Sequence, residues 1–299
     1  TFPEPHWIAP GYLCEGLTLL GGRPKLGKSW LGLGLTLAVA SGGAAFGKVP
    51  VERGEALYLA LEDTPKRLQS RLGMMLHGEP APDGLHLATA WPRLDQGGLQ
   101  HLEAWLDEHQ DARLVIVDTF QKLRPPQDGR GLYEQDYAAL AGLKALADRH
   151  GVAVLVVHHL RKGSSEDPLE EVSGTTGLTG AADTVWVLRR DRGRMDATLF
   201  ITGRDTEEQE TALQFDPSLG LWCLLGSAEE YRMSQERQAV LALLREAGEP
   251  LGPKAIAEAL GKTEGSVRKL LFTLVNEGVI KRVDRGRYTI PGNNGNVGN

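Results

Sequence analysis

The chain has 299 residues, enough for one large α/β domain and a smaller module. It is 41% hydrophobic and 24% charged, as in ordinary globular proteins, and its net charge of −6 excludes nucleic-acid binding through overall positive charge. Two distant cysteines, Cys14 and Cys223, exclude a disulfide scaffold and a cysteine zinc site and favour the cytoplasm. The apolar run 31–40 is shorter than a membrane span, so no membrane partner is expected, and a start at Thr1 predicts a fragment of a longer polypeptide.

Predicted strands and helices alternate through most of the chain. Apolar runs with β-branched residues alternate with segments of helical period, which predicts an α/β fold with a mainly parallel sheet flanked by helices. Two late strands, 182–190 and 196–205, joined by a turn at 192–194, are expected to extend the sheet in antiparallel fashion. The earlier strands are predicted at 16–22, 55–62, 84–90, 113–120 and 152–160, and the helices at 29–41, 64–76, 99–110 and 136–151.

The composition changes near residue 227, which predicts a domain boundary there. We expect a large α/β domain over residues 1–228 and a small C-terminal domain over 229–291. Three amphipathic segments followed by two short strands around Asp284–Gly286 predict a winged helix-turn-helix. Residues 292–299 are rich in glycine and asparagine and are expected to form a disordered tail.

Residues 22–29 read G-R-P-K-L-G-K-S, a complete phosphate-loop motif between a predicted strand and a predicted helix. The two glycines permit a tight turn, in which backbone N–H groups converge on phosphates at a helix N-terminus. Lys28 is expected to reach the β- and γ-phosphates and Ser29 to bind Mg²⁺. The alternative is a glycine-rich turn without a ligand. The predicted ATP contacts are Gly22, Arg23, Pro24, Lys25, Leu26, Gly27, Lys28, Ser29 and Trp30.

Carboxylates follow two of the predicted strands. Asp118 ends the strand RLVIVDTF, where a Walker B acid would hold Mg²⁺, although a strand-end aspartate is also a common turn residue. The next residue is Thr119 rather than a second acid, so the base that activates water must lie elsewhere. Glu62, at the end of ALYLALED, is the candidate base, whereas Asp63 is better explained as a helix cap.

His158 and His159 end another buried strand, VVHHL. Alternation turns one imidazole toward each face of the sheet, so one of them can face the nucleotide. Carboxylates at metal-ligand spacing are missing from the neighbouring sequence, so we reject a zinc site at this pair. A polar sensor of the γ-phosphate is the functional alternative to a packed pair.

In combination, GxxxxGKS, LED, VIVD, VVHHLRKG and SGTTGLTGAADTVWVL resemble the RecA-fold ATPases of the replicative-helicase type. The sequence is most similar to the plasmid RepA-like hexameric helicases and the helicase halves of primase-helicases, over residues 5–225. The resemblance implies a general base at Glu62, a Walker B acid at Asp118 and a γ-phosphate sensor at His159. It also implies a bacterial, phage or plasmid source, a hexameric ring of identical subunits, and single-stranded DNA, with a primase as a further partner.

The resemblance further implies a channel loop and an arginine finger. The segment SGTTGLTG, residues 173–180, matches the loop that tracks single-stranded DNA through Ser173, Gly174, Thr175 and Thr176. Arg204 follows a late strand, where the family has the basic residue that acts on a neighbouring subunit's nucleotide. An ion pair of Arg204 with Asp205 or Glu207 is the alternative. Gly174 stands where RepA-like relatives carry an arginine, so the resemblance is incomplete at the trans-acting arginine on which ring assembly depends.

The C-terminal module carries basic residues on its third helix and its wing. These side chains favour duplex DNA contact over the alternative, a protein-interaction module. They are Arg268, Lys269, Lys281, Arg282, Arg285 and Arg287.

The sequence as a whole favours an ATP-driven motor that moves along single-stranded DNA. A RecA-like DNA-binding regulator without translocation is the alternative hypothesis. A small-molecule kinase is disfavoured, because no lid or acceptor segment is apparent.

Overall fold

The computed structural model describes residues 5–126, 132–160, 168–172, 176–191, 194–284 and 286–291. The chain divides into two compact units, Thr1–Ser227 and Ala228–Asn299. The predicted tail, 292–299, and two residues of the predicted turn, 192 and 193, lie outside the described residues. Within the described part, no helix has the length and apolar character to cross a membrane.

The first unit alternates strands and helices in chain order. Its helices are α1 (Lys28–Ser41), α2 (Pro65–Leu76), α3 (Gly98–Glu108), α4 (Phe120–Leu123), α5 (Leu132–His150), α6 (Pro168–Val172) and α7 (Thr176–Ala181). Its strands are β1 (Trp7–Ala9), β2 (Leu13–Cys14), β3 (Gly16–Gly22), β4 (Ala44–Ala45), β5 (Val49–Pro50), β6 (Glu55–Ala60), β7 (Leu85–Ala88), β8 (Ala112–Asp118), β9 (Ala153–His159), β10 (Thr184–Arg189), β11 (Asp196–Gly203), β12 (Gln209–Asp216) and β13 (Leu221–Ser227).

A nine-stranded sheet runs through the first unit in the order β13-β12-β11-β10-β3-β9-β8-β6-β7. The strands from β10 to β7 pair in parallel, and β10 to β13 pair antiparallel. The predicted α/β fold with a mainly parallel sheet is therefore confirmed. The sequence did not predict β12 and β13, whose polar and apolar residues alternate too irregularly for a clear strand signal.

Helices cover both faces of this sheet, and strand alternation divides the core in two. Tyr58 and Ile116 face α1, where Gly32 allows close approach, because a Cβ there would lie 3.1 Å from the Tyr58 ring. Leu57 and Val115 point to the other face, which α3 and α5 cover. Each large apolar side chain buried in this way stabilises the fold by about 1.5–3 kcal/mol.

Capping residues set the limits of the helices around the central strands. Helix α1 ends at Ser41 and is capped by Gly42, whose φ of 70° turns its N–H back to the carbonyls of the last turn. Helix α2 begins after Thr64, whose hydroxyl accepts the Arg67 N–H. The helix cap predicted at Asp63 is therefore wrong. Asp63 instead forms ion pairs with the guanidinium groups of Arg67 and Arg71.

The second unit is a winged helix-turn-helix, as predicted. Helices α8 (Ala228–Ala247), α9 (Pro253–Leu260) and α10 (Glu264–Asn276) precede the wing strands β14 (Lys281–Asp284) and β15 (Arg287–Thr289). The side chains at the centre of this unit are fully buried and apolar. They include Val240, Leu244, Ile256, Val267, Leu271, Leu274 and Ile280.

Candidate active site

The carboxyl ends of β3, β6, β8 and β9 lie along one edge of the sheet, beside the start of α1. Asp118 is the last residue of β8, and His159 is the last residue of β9, paired with Gly22 of β3. Both residues are in phase with the apolar side chains that face α1, such as Ile116 and Val157. The sheet therefore directs a carboxylate and an imidazole to the side where the phosphate loop lies.

Lys28 is the central cation of this edge and is only 4% exposed. Its ammonium donates hydrogen bonds to the carbonyls of Gly22, at 2.6 Å, and Arg23, at 2.9 Å. Burial lowers the pKa of Lys28 to about 8, although the carboxylates of Asp118 and Glu62 act in the opposite direction. The fold thus holds a desolvated cation, which an anionic ligand would stabilise.

His159 bridges Lys28 and Glu62. Its Nδ1 lies 3.2 Å from the Lys28 ammonium, which has only protons to offer, so Nδ1 must be the accepting nitrogen. The other nitrogen, Nε2, then carries the proton, and it lies 3.5 Å from Glu62 Oε2. Glu62 is further held by the Thr119 hydroxyl, which donates to Oε1 at 3.1 Å. These contacts fix a half-exposed carboxylate beside the phosphate loop.

Asp118 is 6% exposed and is held by a tyrosine that the sequence interpretation missed. The Tyr58 hydroxyl lies 2.6 Å from Asp118 Oδ2 and 3.2 Å from the Ser29 carbonyl oxygen. Burial and the Asp118 charge raise the pKa of Tyr58 well above its ordinary value, so Tyr58 is a proton donor. Strand alternation was the sequence signal that could have identified Tyr58, because Tyr58, Ala60 and Glu62 are spaced two residues apart and so share one face of the sheet.

An aromatic cluster from the antiparallel extension supports the phosphate loop. Gly27 has a φ of 101°, and a Cβ there would lie 3.0 Å from the Trp222 ring, so both backbone and space require glycine. Trp222 also donates its indole N–H to the Gly27 carbonyl at 3.0 Å. The Arg190 guanidinium stacks over Trp222, and Phe215 lies between Trp222 and Trp30. This cluster therefore holds the second glycine of the loop in place.

The remaining loop residues are more accessible. Arg23, Pro24 and Lys25 are exposed, whereas Leu26 is half-buried. Lys25 has a φ of 65°, in the left-handed region. The exposed backbone of this segment is where phosphate oxygens could accept hydrogen bonds.

His158 points away from this edge. Its ring contacts Phe120 in an edge-on arrangement on the opposite face of the sheet. Burial, with the neighbouring Arg124 guanidinium, lowers the pKa of His158 to about 4, so His158 is neutral near pH 7. The structure therefore brings His159, and not His158, together with Lys28 and Glu62.

A model of the AAA domain matches residues 1–165, more than half of the chain, including the phosphate loop, Glu62, Asp118 and His159. This chain belongs to the AAA domain family. A second model, the IclR helix-turn-helix domain, matches residues 239–284. No curated protein sequence matches the chain significantly.

Two solved structures share the architecture of this AAA domain protein. The first, an ATPase domain, superposes with a TM-score of 0.56 at 16% identity, covering 71% of this chain and 85% of that one. The second, a DnaB-like replicative helicase solved in a study of its interactions with primase, superposes with a TM-score of 0.57 at 15% identity. That match covers 75% of this chain and 64% of the helicase chain. The predicted RecA-type fold is confirmed by these likenesses.

Arg204 of this AAA domain protein lies far from the phosphate loop of its own chain. It follows β11 at the amino ends of β3 and β10, where its N–H bonds the Asp183 carbonyl. Its guanidinium is 3.7 Å from Asp183 Oδ1, so the ion pair is with Asp183 instead of Asp205 or Glu207. Seven-residue β3 separates the two ends by roughly 20 Å. Arg204 and Lys28 cannot therefore contact one phosphate group within one chain.

The predicted DNA contacts divide between described and undescribed residues. Ser173, Gly174, Thr175 and Arg285 lie outside the described residues, and Thr176 begins α7 instead of lying in a loop. On α10, Lys269 is exposed, and Arg268 is exposed but paired with Glu264 at 2.6 Å. On the wing, Arg282 and Arg287 are exposed, and Lys281 is half-buried.

Proposed function

We propose that this chain hydrolyses ATP to drive movement along single-stranded DNA, as a replicative-type helicase or the helicase part of a primase-helicase. The observation that carries the proposal is the convergence of Lys28, Glu62, Asp118 and His159 at one sheet edge. Lys28 supplies positive charge to the β- and γ-phosphates, and the exposed loop backbone supplies N–H donors.

Mg²⁺ fits the oxygen donors at this edge. The Ser29 hydroxyl and the Asp118 carboxylate would hold the ion, and both are hard oxygen ligands of the kind that Mg²⁺ prefers. Tyr58 supports both residues, because its hydroxyl contacts the Ser29 carbonyl and Asp118 Oδ2. When bound, Mg²⁺ neutralises charge on the phosphate oxygens.

Glu62 is proposed as the general base. Its carboxylate takes a proton from the attacking water while the water oxygen bonds to the γ-phosphorus and the bond to the β-phosphate oxygen breaks, leaving ADP and inorganic phosphate. His159 lies between this carboxylate and Lys28, so a γ-phosphate would meet its imidazole. His159 is therefore proposed to sense whether that phosphate is present.

ATP affinity is expected to fall as pH rises through about 8, because the pKa of free Lys28 is lowered from 10.5 to about 8. Bound phosphates favour the charged ammonium and raise this pKa, so binding takes up a proton above about pH 8, and affinity drops up to about tenfold per pH unit. The γ-phosphate is already fully ionised above about pH 8, so its titration does not contribute to this pH dependence of ATP affinity. Calorimetry in two buffers of different ionisation enthalpy measures the proton uptake. A constant affinity across this range would contradict the Lys28 assignment.

Tyr58→Phe should weaken Mg²⁺ use without disturbing the fold. The ring still fills its buried position, but Asp118 Oδ2 loses a donor, at a cost of about 1–3 kcal/mol. We expect the Mg²⁺ concentration for half-maximal hydrolysis to rise about tenfold. Tyr137→Phe is the matched control, because the Tyr137 side chain is exposed. If Tyr58→Phe and Tyr137→Phe show the same Mg²⁺ dependence, Tyr58 does not support the Mg²⁺ site.

DNA contact is proposed for two regions. The segment 173–176 would follow single-stranded DNA in the channel of a homohexameric ring, with Arg204 reaching the neighbouring subunit's nucleotide. Duplex DNA would bind α10 and the wing through Arg268, Lys269, Lys281, Arg282, Arg285 and Arg287. A primase is proposed as a further partner. The similar DnaB-like helicase was solved in a study of its interactions with primase.

A second candidate function is an ATP-controlled DNA-binding regulator without translocation. The match of residues 239–284 to the IclR helix-turn-helix domain favours this alternative. In such a protein, ATP would govern assembly, and the winged helix would hold a duplex site.

DNA-stimulated ATP hydrolysis tests the proposal. A motor should hydrolyse ATP faster with single-stranded DNA than with duplex DNA of equal length, and should unwind a forked duplex. Lys269→Ala should lower duplex affinity and reduce its salt dependence, with exposed Lys254→Ala as the matched control. Hydrolysis indifferent to DNA, by a protein that stays monomeric with ATP, would overturn the motor proposal.

A further inference from the structure

Two histidines and a glutamate meet at the amino end of β6, on the sheet edge opposite the nucleotide site. Glu55 begins β6, His86 lies on the edge strand β7, and His109 follows α3 directly. Glu55 Oε1 lies 3.3 Å from His86 Nε2 and 3.0 Å from His109 Nδ1. Among the described residues, these three side chains form a group in which the ligand atoms, one from each side chain, all lie within 4.8 Å of one another.

Two of the three separations are close to those between ligands around one small cation, and the third is at most 4.8 Å. Zn²⁺ binds imidazole nitrogen and carboxylate oxygen at about 2.0–2.2 Å in a tetrahedron, which places neighbouring ligand atoms about 3.3–3.6 Å apart. The two separations from Glu55 Oε1 need to change by only a few tenths of an ångström to reach this geometry. Hydrogen bonding alone would also hold the three side chains together. Zinc titration distinguishes a metal site from such a hydrogen-bonded cluster.

Aromatic contacts fix the orientation of both imidazoles. The Trp105 ring stacks on His109 at 4.3 Å between centroids and meets His86 edge-on at 5.3 Å. The two imidazoles lie 4.5 Å apart, with planes inclined by 65°. All three candidate ligands are half-buried, so an ion could enter from solvent. Oriented rings lower the conformational cost of binding, as supporting contacts do in known metal sites.

We propose that Glu55, His86 and His109 bind one divalent transition-metal ion of the Zn²⁺ class. Glu55 Oε1, His86 Nε2 and His109 Nδ1 supply three ligands, and water completes the coordination, as is usual when a protein provides three. Any proton on a ligating nitrogen moves to the other ring nitrogen or to solvent when the ion binds, because the metal requires its lone pair.

Such an ion would crosslink three segments at the edge of the sheet. It joins β6, the edge strand β7 and the segment between α3 and β8, which are otherwise joined here by ladder hydrogen bonds and side-chain packing. Its ligands lie at the amino end of β6, whereas Glu62 lies beyond the carboxyl end. The metal proposal is therefore independent of the proposed ATPase activity, and the failure of one leaves the other standing.

Zinc binding to the full chain tests the proposal. Protein stripped by a chelator, free of nucleotide and in excess Mg²⁺, is titrated with Zn²⁺ against a chromophoric chelator. We expect one Zn²⁺ per chain and a higher unfolding temperature with the metal. Glu55→Gln and His86→Gln should each lower the affinity by about 100-fold or more, since losing even an outer-shell partner costs 10–100-fold. X-ray absorption should show two imidazole ligands.

His6→Gln is the matched control. His6 Nε2 lies 2.9 Å from Glu52 Oε2 and forms an exposed histidine–carboxylate pair outside the three-residue cluster. Its loss should leave zinc stoichiometry and affinity unchanged. Two ligand variants are used so that misfolding of one, detected by circular dichroism, leaves a second test. Wild-type affinity in Glu55→Gln and His86→Gln, or an unfolding temperature insensitive to Zn²⁺, would show a hydrogen-bonded cluster only.

Discussion

Glu62→Gln should leave ATP bound and slow its hydrolysis by about 100- to 10,000-fold, the usual contribution of a positioned general base. Glutamine keeps the shape of glutamate and can still accept the Thr119 hydroxyl, which lies 3.1 Å from Glu62 Oε1. It cannot take a proton from water. Removal of one carboxylate near Lys28 also alters the charge of the site by one unit, so a small change in ATP affinity is expected.

Single-turnover hydrolysis and binding of a fluorescent ATP analogue separate these effects. Glu79→Gln is the matched control, because it makes the same charge change at an exposed position after α2. His159→Ala should slow hydrolysis less than Glu62→Gln, since the imidazole positions the carboxylate and does not replace it. Hydrolysis by Glu62→Gln at the wild-type rate would assign the base elsewhere.

The sequence could predict this edge of the site because strand geometry is local and periodic. A motif places Lys28 at a strand-to-helix junction, and the ends of apolar runs place Asp118 and His159. The period of two implies that only one of the neighbouring histidines faces α1, the family resemblance favoured His159, and the structure has His159 there. Parallel strands bring these ends to one edge regardless of their distance along the chain.

Other parts of the site depend on contacts that no local pattern contains. Trp222 supports Gly27 across 195 residues of chain, and nothing in the sequence around either residue indicates the pairing. Asp183 holds Arg204 and also accepts the Leu17 N–H, so it ties two distant strand ends. The contacts of Trp222 and Arg204 arise from the antiparallel extension β11–β13, whose last two strands the sequence did not predict. Specific side-chain pairing is decided by tertiary packing, which propensity and period do not encode.

The exposed Arg204 has a partner of limited strength in its own chain. Its side chain is 63% exposed, and exposed ion pairs of this kind contribute about 0–1 kcal/mol. An anionic group from a neighbouring molecule can therefore replace Asp183 at small cost. Because Arg204 and Lys28 lie at opposite ends of β3, two copies must meet head-to-tail for both to act on one nucleotide. Head-to-tail contacts of this kind close into a ring or continue as an open filament.

Arg204→Ala and Glu62→Gln should each be inactive alone and should recover activity when mixed. Loss of an arginine that neutralises the transferring phosphoryl group costs about 1,000-fold or more. In a mixture, an Arg204→Ala subunit keeps its Glu62, and a Glu62→Gln neighbour keeps its Arg204, so one kind of interface is complete. Random assembly of equal amounts completes roughly a quarter of the interfaces in a head-to-tail ring. The steady-state rate of the mixture, measured with single-stranded DNA, gives this fraction.

Arg194→Ala is the matched control for this experiment, because the Arg194 side chain is 67% exposed and its guanidinium lies 3.9 Å from Asp196. It should stay active alone and should not rescue Arg204→Ala beyond the activity that it contributes itself. A mixture of Arg204→Ala with Glu62→Gln that remains inactive, while size measurements show mixed oligomers, would exclude a trans-acting Arg204. If Arg204→Ala is fully active by itself, Arg204 serves only to pair with Asp183. Recovery in the mixture requires that each nucleotide lie between two subunits, because no single chain then holds both Glu62 and Arg204.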